Sequence, residues 1–561
     1  MLAYSIKPFI TFIKKSTLIL IRFVSTKFTL MIRIKTIAVA ILLLISHLGF
    51  SQYIQSDGSK KFDALLQIIN YTYVDTTNEN ELVENAVVAV LKELDPHSVY
   101  IPKEELKKMN EPLVGNFEGI GIQFNIFHDT LLVVSPISGG PSEKVGLQAG
   151  DKIIEVDGEN IAGIGLQNSD VQKKLRGDKG TKVNLGIKRR NKSELLSFTI
   201  TRDKIPIFSV DASYMATPEI GYIKVNRFAK NTTNEFKEGL SKLKSENMKH
   251  LILDLRGNGG GYLRTAIQLA DEFIGDKKLL VYTEGAKNPK QEYYTTTKGG
   301  FEQGKLVILI DEGSASASEI VSGAIQDYDR GLIIGRRSFG KGLVQKPFTL
   351  PDGSAIRLTV ARYHTPSGRC IQRPYDEGKE AYYKEFSRRF KNGEYMNEDS
   401  IAFPDSLKFK TLNSGRTVYG GGGVMPDIFV PIDTTQSSDY FSKVVRSGLL
   451  NEFVLSYMDA HRTELNSTYK NVLSFKNSFT GDDELLNEFV EYANKNDIEK
   501  NEAEIKTSKK LLTIRLKALI ARNLWDTSAF YQIANELNDS YIRAIEEINS
   551  NTFKKEKLVY K

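Results

Sequence analysis

Cysteine is nearly absent from this chain of 561 residues, which contains only Cys370. A single cysteine excludes an intrachain disulfide, and no cysteine stands after the N-terminal apolar segment to carry a lipid. Histidine is also scarce, at six residues, and none belongs to a cluster with the spacing of metal ligands. Of the six, His364 alone lies beside other candidate groups, as a minor candidate for a catalytic base. The sequence therefore predicts chemistry without disulfide, metal or cofactor.

Long apolar runs are lacking as well. The run Thr36–Ile45 has ten residues, which is too short to span a bilayer. It follows a basic stretch that starts at Met31, and it precedes small residues that suit a signal-peptidase cut before Gln52. We expect residues 1–51 to be a leader, with Met1 or Met31 as its start. The mature protein would then be soluble and exported to the periplasm or cell envelope. The alternative is that the leader is not cleaved and anchors the protein in the membrane.

An excess of one charge is missing from the rest of the chain. The formal net charge is +7, but residues 1–50 hold seven Lys and Arg and no acidic residue, so the remainder carries 69 charges of each sign. This balance does not predict a nucleic-acid partner. With 41% hydrophobic and 26% charged residues, the composition is that of a globular protein. The length predicts about three or four domains.

Four segments follow the leader. Residues 52–112 carry apolar positions at helical spacing, and residues 113–203 change to short strands with glycine turns around one helix near Ser169–Leu175. Strands then alternate with helices over residues 204–434, which predicts an α/β domain. Residues 435–561 contain amphipathic helices only. We expect each segment to form a separate domain or region.

The stretch "IIGRRSFGKGLVQ" at residues 333–345 matches most of a phosphate-binding loop. Gly342 follows Lys341, however, so the hydroxyl that would hold magnesium is missing. The chain also continues as a predicted strand, "GLVQKPFTL", whereas a phosphate loop begins a helix whose N-terminus faces the anion. We conclude that Lys341 serves another chemistry.

A run of small residues follows a predicted buried strand in "LVILIDEGSASASEIVSGAIQDY", residues 306–328. A serine at the N-terminus of the following helix benefits from the positive end of the helix dipole, which favours a developing oxyanion. Ser314, Ser316 and Ser318 are the candidates for a nucleophile. The alternatives are a capping box between Ser316 and Glu319, or small residues that only allow close packing.

Lys341 has the features expected of a general base. Glycines flank it, and if residues 341–345 form a strand, alternation places Lys341 and Gln345 on one face. Gln345 could then orient the amine. A lysine acts as a base only when neutral, so burial must lower its pKa from about 10.4. The alternative is a solvated charge in a loop.

The glycines of "ILDLRGNGGGYLRTAI", residues 252–267, form the third candidate element. A predicted strand runs into Gly257 and Gly259–Gly261 before a helix begins. Exposed backbone N–H groups at such a turn suit an oxyanion hole. The alternative is an ordinary turn from strand to helix, which does not need three consecutive glycines.

Taken together, "GSASASEIVSGAIQDY", "GRRSFGKGLVQ", "RYHTPSGRCIQ" and "GGGVMPDI" resemble the carboxy-terminal processing peptidases, or tail-specific proteases, in order and spacing over roughly residues 85–430. The resemblance implies a serine endopeptidase with a nucleophile, Ser316, a base, Lys341, and a supporting Gln345. It also implies an oxyanion hole formed by the backbone N–H groups of Ala317 and of Gly260 or Gly261.

The motifs "FEGIGIQF" and "VGLQAGDKIIEVDGENI" resemble a PDZ domain. The fold implied is an α/β catalytic core of the crotonase/ClpP-like type, with an inserted β-rich PDZ domain and helical N- and C-terminal regions. Such a domain adds a substrate C-terminus as a strand beside an edge strand, here Ile120–Phe124. The substrate-binding residues implied are Gly119, Ile120, Gly121, Ile122, Val171 and Leu175.

The partners implied are proteins or peptides with free, apolar C-termini. An adaptor protein and a homo-oligomer stay open, as does the role of the C-terminal helices. Two other classes of function compete with an exported peptidase. One is a non-catalytic PDZ adaptor on a protease fold, and the other is a crotonase-type enzyme that acts on acyl-CoA. The motif residues disfavour the first, and the leader and PDZ segment disfavour the second.

Overall fold

The computed structural model describes residues 56–190, 192–296 and 298–560, so the predicted leader, residues 1–51, lies outside the described residues. The chain divides into two compact units, Met1–Val87 and Val88–Lys561. The described part of the first unit is helical, with α1 (Asp57–Thr72) and the start of α2 (Glu79–Lys92). No helix in the described ranges is long and apolar enough to cross a membrane.

The second unit continues α2 and then turns at Asp95-Pro96, as this helix-breaking pair predicts. Strand β1 (Val99–Ile101) and helix α3 (Lys103–Val114) follow. The sequence did not predict β1. Its three residues pair antiparallel with a strand more than 250 positions later, at Ala355–Arg357, and local sequence carries little signal for a strand that depends on so distant a partner.

A β-rich module comes next. Its elements are β2 (Asn116–Gly119), β3 (Ile122–Phe127), β4 (Thr130–Pro136), α4 (Pro141–Lys144), β5 (Lys152–Val156), β6 (Glu159–Asn160), α5 (Asn168–Leu175), β7 (Lys182–Lys188), β8 (Leu196–Thr201) and β9 (Asp203–Pro206). The main sheet has the order β3-β4-β5-β7-β8, with β6 beside β5, and β2 pairs with β9. Strand β3 is therefore at an edge, as predicted, although it begins at Ile122 rather than Ile120. The predicted helix near Ser169–Leu175 is α5, but it is not the single helix expected, because the short helix α4 also lies in this module.

The α/β core follows the β-rich module. Its elements are β10 (Val210–Met215), β11 (Ile220–Val225), α6 (Thr232–Ser245), β12 (His250–Asp254), α7 (Leu263–Asp271), β13 (Leu279–Gly285), β14 (Asn288–Tyr294), β15 (Leu306–Ile310), α8 (Ala317–Asp327), β16 (Leu332–Gly335), β17 (Leu343–Thr349), β18 (Ala355–His364), α9 (Lys379–Lys391), β19 (Lys408–Lys410), β20 (Thr417–Tyr419) and β21 (Ile428–Phe429). The central sheet has the order β10-β11-β12-β15-β16-β21 and is parallel from β11 to β21.

A second sheet of the core has the order β1-β18-β13-β14, with β17 also paired to β18. The hairpin of β17 and β18 is antiparallel, and its register shifts between Val344 and Gln345. This irregularity lies beside Lys341, so it bears on the candidate site.

Both faces of the central sheet are buried, as parallel strands require. One set of alternate residues, including Leu253 and Ile308, packs into a core that contains residues of α6, α7 and α8. The other set, including Ile252 and Leu309, packs against the end of the chain, where Phe553 is fully buried. The C-terminal residues therefore complete the core of the α/β domain.

The chain ends in helices, as the sequence predicts. They are α10 (Asp439–Arg446), α11 (Leu449–Thr468), α12 (Val472–Ser478), α13 (Asp482–Lys495), α14 (Glu502–Leu524), α15 (Thr527–Ala534), α16 (Asp539–Asn549) and α17 (Thr552–Lys555). Helices α10 to α15 share a hydrophobic core of their own. Helices α16 and α17 instead contribute Ala544, Ile548 and Phe553 to the second face of the central sheet.

Candidate active site

Ser316 lies at the junction between a buried strand and a helix. All five residues of β15 are buried, and α8 begins one residue after Ser316. The backbone of Ser316 has φ 55° and ψ −109°. A non-glycine residue rarely adopts a positive φ, and such strain persists only where surrounding contacts maintain it. The sharp turn leaves Ser316 half-buried while its neighbours Ala315 and Ala317 are buried.

The two competing serines have structural contacts. Ser314 Oγ donates to the carbonyl oxygen of Leu255 at 2.9 Å, and Ser318 Oγ donates to the carbonyl oxygen of Asn258 at 2.8 Å. Both side chains are fully buried. They tie the serine turn to the glycine turn that follows β12, which leaves Ser316 as the candidate nucleophile.

Glu319 holds the segments of Ser316 and Lys341 together. Its Oε2 accepts from the backbone N–H of Ser316 at 2.7 Å and from that of Lys341 at 2.9 Å. Its Oε1 accepts from Ser338 Oγ at 2.5 Å and from the N–H of Gly340 at 2.7 Å. Burial raises the pKa of this carboxyl above its ordinary value, against the effect of these four hydrogen bonds. The capping interaction expected from Ser316 and Glu319 therefore extends to a contact with Lys341, which the sequence did not indicate.

Lys341 is largely buried and its amine has a defined partner. Its Nζ donates to Gln345 Oε1 at 2.9 Å. Burial, and after it the positive charge of Arg357, lower the pKa of Lys341 to about 8, against the opposite effect of Asp95 and Glu319. A substantial fraction of the amine is therefore neutral near neutral to mildly alkaline pH, as a base requires.

The expected contact between Lys341 and Gln345 exists, but the reason given for it from the sequence is wrong. Strand β17 begins at Leu343, so Lys341 precedes it, and the register shift at Val344 and Gln345 breaks regular alternation. The two side chains meet because the loop and this irregularity bring them together. The chain does continue as a strand after Lys341, which confirms that this is not a phosphate-binding loop.

A buried tyrosine also joins the serine and lysine segments. The Tyr363 hydroxyl donates to the carbonyl oxygen of Lys341 at 2.7 Å, and the carbonyl oxygen of Ser316 lies 3.1 Å from it. Tyr363 is 1% exposed and belongs to β18. Sequence reasoning missed this residue because its position becomes visible only when β18 pairs with β17.

The glycine turn packs directly against Ser316. A Cβ atom at Gly260 would lie 2.8 Å from the carbonyl oxygen of Ala315 and 2.9 Å from the Cβ of Ser316, so only glycine fits there. The N–H of Gly260 donates to Asn258 Oδ1 at 2.9 Å. Within the described ranges, the N–H groups of Gly261 and Ala317 have no such acceptor. These two N–H groups are thus available to an incoming ligand.

One cavity of about 560 Å³ is lined by all of the candidate catalytic groups. They are Ser316, Lys341, Gln345, Gly260, Gly261 and Ala317. Leu106, Leu113 and Val114 of α3 supply apolar lining. A larger cavity, of about 790 Å³ near Phe403, contains none of these groups. His364 does not line the 560 Å³ cavity either.

The candidate tail-binding residues lie in the β-rich module. Gly119 ends β2, Ile122 begins β3, and α5 carries the two others, Val171 and Leu175. Ile120, Ile122, Val171 and Leu175 share one hydrophobic cluster, and Gly121 has φ +77°. The carbonyl groups of Ile120 and Gly121 accept hydrogen bonds from Ser142 and Ile137. The loop from Gly119 to Ile122 is therefore fixed through its carbonyl groups.

Comparisons with known proteins identify the segments that carry this site. Residues 219–377 match Peptidase family S41, residues 132–189 match the PDZ domain, and residues 440–526 match a family of unknown function. The S41 match includes the serine turn, the glycine turn and Lys341. The PDZ match covers most of the β-rich module, and the C-terminal match falls on the helical region.

Two curated relatives are carboxy-terminal processing proteases. The one from Bartonella bacilliformis is 38% identical over 317 residues, which cover 56% of this chain and 72% of the relative. The relative from Bacillus subtilis, named CtpB, is 30% identical over 463 residues, which cover 81% of this chain and 89% of the relative. A solved structure titled photosystem II D1 C-terminal processing protease is 25% identical with a TM-score of 0.34, and the match covers 66% of this chain and 92% of that one.

Identity of 38% and 30% over 72% and 89% of the two relatives shows family membership rather than a shared motif. The matched segments are a peptidase of family S41 and a PDZ domain, the two components that the sequence motifs predicted. This chain therefore belongs to the carboxy-terminal processing proteases, serine-type peptidases of family S41, with a PDZ domain before the peptidase segment and a helical region after it.

Proposed function

We propose that this protein is an exported serine endopeptidase in which Ser316 is the nucleophile and Lys341 the general base, supported by Gln345. The observation that carries the proposal is that Ser316 and Lys341 line one cavity, where the amine of Lys341 donates to Gln345 Oε1 at 2.9 Å and has a pKa of about 8. A half-buried serine with a strained backbone completes the pair.

The first half of the reaction forms an acyl-enzyme. Neutral Lys341 accepts the proton of Ser316 Oγ as this oxygen attacks the carbonyl carbon of the scissile peptide bond. The tetrahedral intermediate collapses when the resulting ammonium group returns the proton to the leaving amine, and the C–N bond breaks. The substrate segment before the cut stays attached to Ser316 as an ester.

The second half releases the acyl group. Neutral Lys341 takes a proton from a water molecule, whose oxygen attacks the ester carbonyl. The C–O bond to Ser316 breaks, and the proton returns to Ser316 Oγ as the new carboxyl group leaves. In both halves, the N–H groups of Ala317 and Gly261 would stabilise the oxyanion. Gly261 is preferred to Gly260 because the N–H of Gly260 already donates to Asn258.

The PDZ domain is proposed to select substrates by their free C-termini. An extended tail would pair with the edge strand β3, and its carboxylate would accept from N–H groups between Gly119 and Ile122. An apolar last side chain would sit beside Val171 and Leu175 of α5. Both side chains are nearly fully buried within the module's hydrophobic cluster, at 1% and 4% exposure. Substrates are then proteins or peptides with free, apolar C-termini.

The proposal also covers the domain boundaries, the fold type of the catalytic core and the export of the protein. The catalytic core, residues 204–434, would be of the crotonase/ClpP-like type, with the PDZ domain at 113–203, a helical region at 52–112 and another at 435–561. Parallel strands with a helix after each of β11, β12 and β15 support that core type. Export rests on the leader-like residues 1–51. Membership of a peptidase family disfavours both the adaptor and the acyl-CoA enzyme.

The test compares exported proteins from cells that carry the wild-type chain or Ser316→Ala. If the proposal holds, a set of proteins in the exported fraction has shortened or altered C-termini in the wild type only. Identical C-termini in both strains, with both proteins present in that fraction at equal amounts, would contradict it. Labelled-peptide hydrolysis and acyl-CoA turnover by the purified protein separate the peptidase from the two rival classes.

A further inference from the structure

A buried turn between α2 and β1 contacts Gln345, the residue that supports the candidate base, from outside the serine and lysine motifs. The turn consists of Asp95, Pro96, His97 and Ser98, and Asp95 and Ser98 are 7% and 1% exposed. Asp95 Oδ1 accepts from the N–H of His97 at 2.8 Å and from that of Ser98 at 2.9 Å, and Asp95 Oδ2 accepts from Ser98 Oγ at 2.5 Å. One carboxylate therefore sets the backbone of the whole turn.

The same carboxylate attaches the turn to the strand opposite Gln345. Thr359 Oγ1 donates to Asp95 Oδ1 at 3.0 Å, and the N–H of Thr359 donates to Ser98 Oγ at 3.1 Å. In the ladder between β17 and β18, Thr359 is the residue paired with Gln345. The turn is thus held in register with the residue that supports the base.

The contact with Gln345 is made by a backbone carbonyl. Gln345 Nε2 donates to the carbonyl oxygen of His97 at 2.5 Å. A glutamine amide has one donating and one accepting side. Because the amide NH₂ of Gln345 faces the carbonyl of His97, its amide oxygen faces Lys341, whose Nζ donates to that oxygen at 2.9 Å. If the carbonyl of His97 moved, this preference would be lost.

The aromatic side of the turn fixes it from the other direction. The ring of His97 has Nε2 at 2.8 Å from the Tyr382 hydroxyl, and the Tyr383 hydroxyl donates to the carbonyl oxygen of Pro96 at 2.7 Å. Both tyrosines belong to α9. The turn is therefore restrained on two sides, and the carbonyl of His97, which accepts from Gln345, has little freedom to rotate.

We propose that Asp95 is a positioning residue for the base: it sets the carbonyl of His97, which orients the amide of Gln345 and thereby the amine of Lys341. This inference rests on the proposed function of Lys341. A neutral amine has two N–H bonds and one lone pair. When Gln345 Oε1 accepts one N–H, the amine loses rotational freedom, and its lone pair is held for the proton of Ser316. Asp95 touches no substrate atom. Its charge also raises the pKa of Lys341, so kcat is compared on the plateau above that pKa, where the remaining effect is positioning through Gln345.

The test is a double-mutant cycle with Asp95→Asn and Gln345→Ala, measured as kcat and KM for a peptide. We expect Asp95→Asn to lower kcat by about tenfold with little change in KM, because it weakens positioning rather than substrate binding. Gln345→Ala should lower kcat by at least about as much. In the Gln345→Ala background, Asp95→Asn should have almost no further effect, since residues that act as a unit are not additive.

The control is Asp352→Asn. Asp352 makes a similar turn at the tip of the hairpin of β17 and β18, where it accepts from the N–H and hydroxyl of Ser354 at 3.0 and 2.7 Å. It has no contact with Gln345, so kcat should stay at the wild-type value. Thr359→Val, which removes one donor to Asp95 without changing side-chain shape, serves as the second variant if Asp95→Asn fails to fold. Its loss of kcat should likewise vanish in the Gln345→Ala background.

The inference is overturned if Asp95→Asn or Thr359→Val folds and lowers kcat in the Gln345→Ala background by the same factor as in the wild-type background. The effect would then be independent of Gln345. Wild-type kcat in both variants would overturn it as well. Lys341→Ala separates this outcome from failure of the proposed function. If Lys341→Ala keeps its activity, Lys341 is not the general base. If Lys341→Ala is inactive but the kcat effects of Asp95→Asn and Gln345→Ala are additive, only the positioning role of Asp95 is refuted.

Discussion

The carboxylate of Glu319 accepts a hydrogen bond from the backbone N–H of Lys341 at 2.9 Å. Its same oxygen accepts from the N–H of Ser316 at 2.7 Å, so a single buried atom relates the two chain segments that carry the candidate nucleophile and base. The motif residues lie 25 positions apart in sequence, and nothing in that spacing alone sets their relative position. A carboxylate is suited to this role because it accepts several hydrogen bonds and donates none.

Glu319→Gln should disturb the site. Four donors converge on this carboxylate, and an amide would place its own N–H₂ group against two of them. Each buried donor left without an acceptor costs about 1–3 kcal/mol. We expect peptide hydrolysis to fall by at least about tenfold. Glu312→Gln is the control, because Glu312 also pairs across the two segments, with Arg336 at 2.9 Å, but its carboxylate is not the acceptor for the N–H of Ser316 or Lys341. Wild-type activity in Glu319→Gln would show that the contacts of Glu319 with both segments are dispensable.

Ser316→Ala and Lys341→Ala should each reduce peptide cleavage by at least about 10³-fold, and the double variant should be little worse. The reason is that a nucleophile and its base act on one proton transfer. Initial rates on a labelled peptide with a free C-terminus provide the measurement. Ser314→Ala and Ser318→Ala should lose much less activity, since their hydroxyl groups make structural contacts. Full activity in Lys341→Ala would refute the assignment.

The activity should rise with pH and level off above about 8, the pKa of Lys341 in this structure. Only the neutral amine accepts a proton, so the active fraction increases as pH rises through that pKa. Arg357 disfavours the ammonium form, so Arg357→Gln should raise the pKa of Lys341 and move the ascending limb of kcat/KM to higher pH. Arg357→Lys keeps the charge and should leave the limb in place. If the ascending limb moves to lower pH in Arg357→Gln, this account is wrong. In a separate measurement, loss of activity in EDTA would contradict the metal-free mechanism.

A free substrate carboxylate should matter more than the sequence at the cut. If the loop at Gly119–Ile122 binds the carboxylate as proposed, its charge-assisted hydrogen bonds would contribute about 1.5–3 kcal/mol. Amidation of the substrate, or Asp as its last residue, should lower cleavage by at least about tenfold. The measurement compares one unstructured peptide as acid and as amide. Equal rates would mean that the PDZ domain does not select tails, and a chain lacking residues 113–203 should lose any preference that the intact protein shows.

Phe553→Ala should destabilise the α/β core although it lies near the C-terminus. Phe553 is fully buried against the second face of the central sheet. Truncation of a buried phenylalanine costs about 3–5 kcal/mol, which should appear as a lower urea midpoint for unfolding of the core. Val559→Ala is the control, because Val559 is 45% exposed. Equal midpoints for wild type and Phe553→Ala would show that the C-terminal helices do not stabilise the sheet.

Local sequence was sufficient for much of the fold and for the candidate residues. The alternating strands and helices of the core, helix α5 and the helical C-terminal region were predicted, because hydrophobic periodicity and glycine turns are local signals. The four-residue helix α4 was not predicted, since it is too short to show a periodicity. Ser316, Lys341 and the glycines were found for the same reason, since each stands in a short motif. In the structure these residues line one cavity, while their catalytic roles stay a prediction.

Other features depend on residues far apart in the chain. The sequence places Glu319 at a helix start but does not show that its carboxylate reaches Lys341, and it shows Asp95-Pro96 only as the end of a helix. The contact between Lys341 and Gln345 arises from a register shift, not from regular alternation. Helices α16 and α17 complete the core because both faces of a parallel sheet must be covered, and these helices cover the second face of the central sheet. Amino-acid order thus determined which chemical groups and local elements exist, and the tertiary structure decided which of them touch, since contacts between distant segments depend on packing and register that no local pattern records.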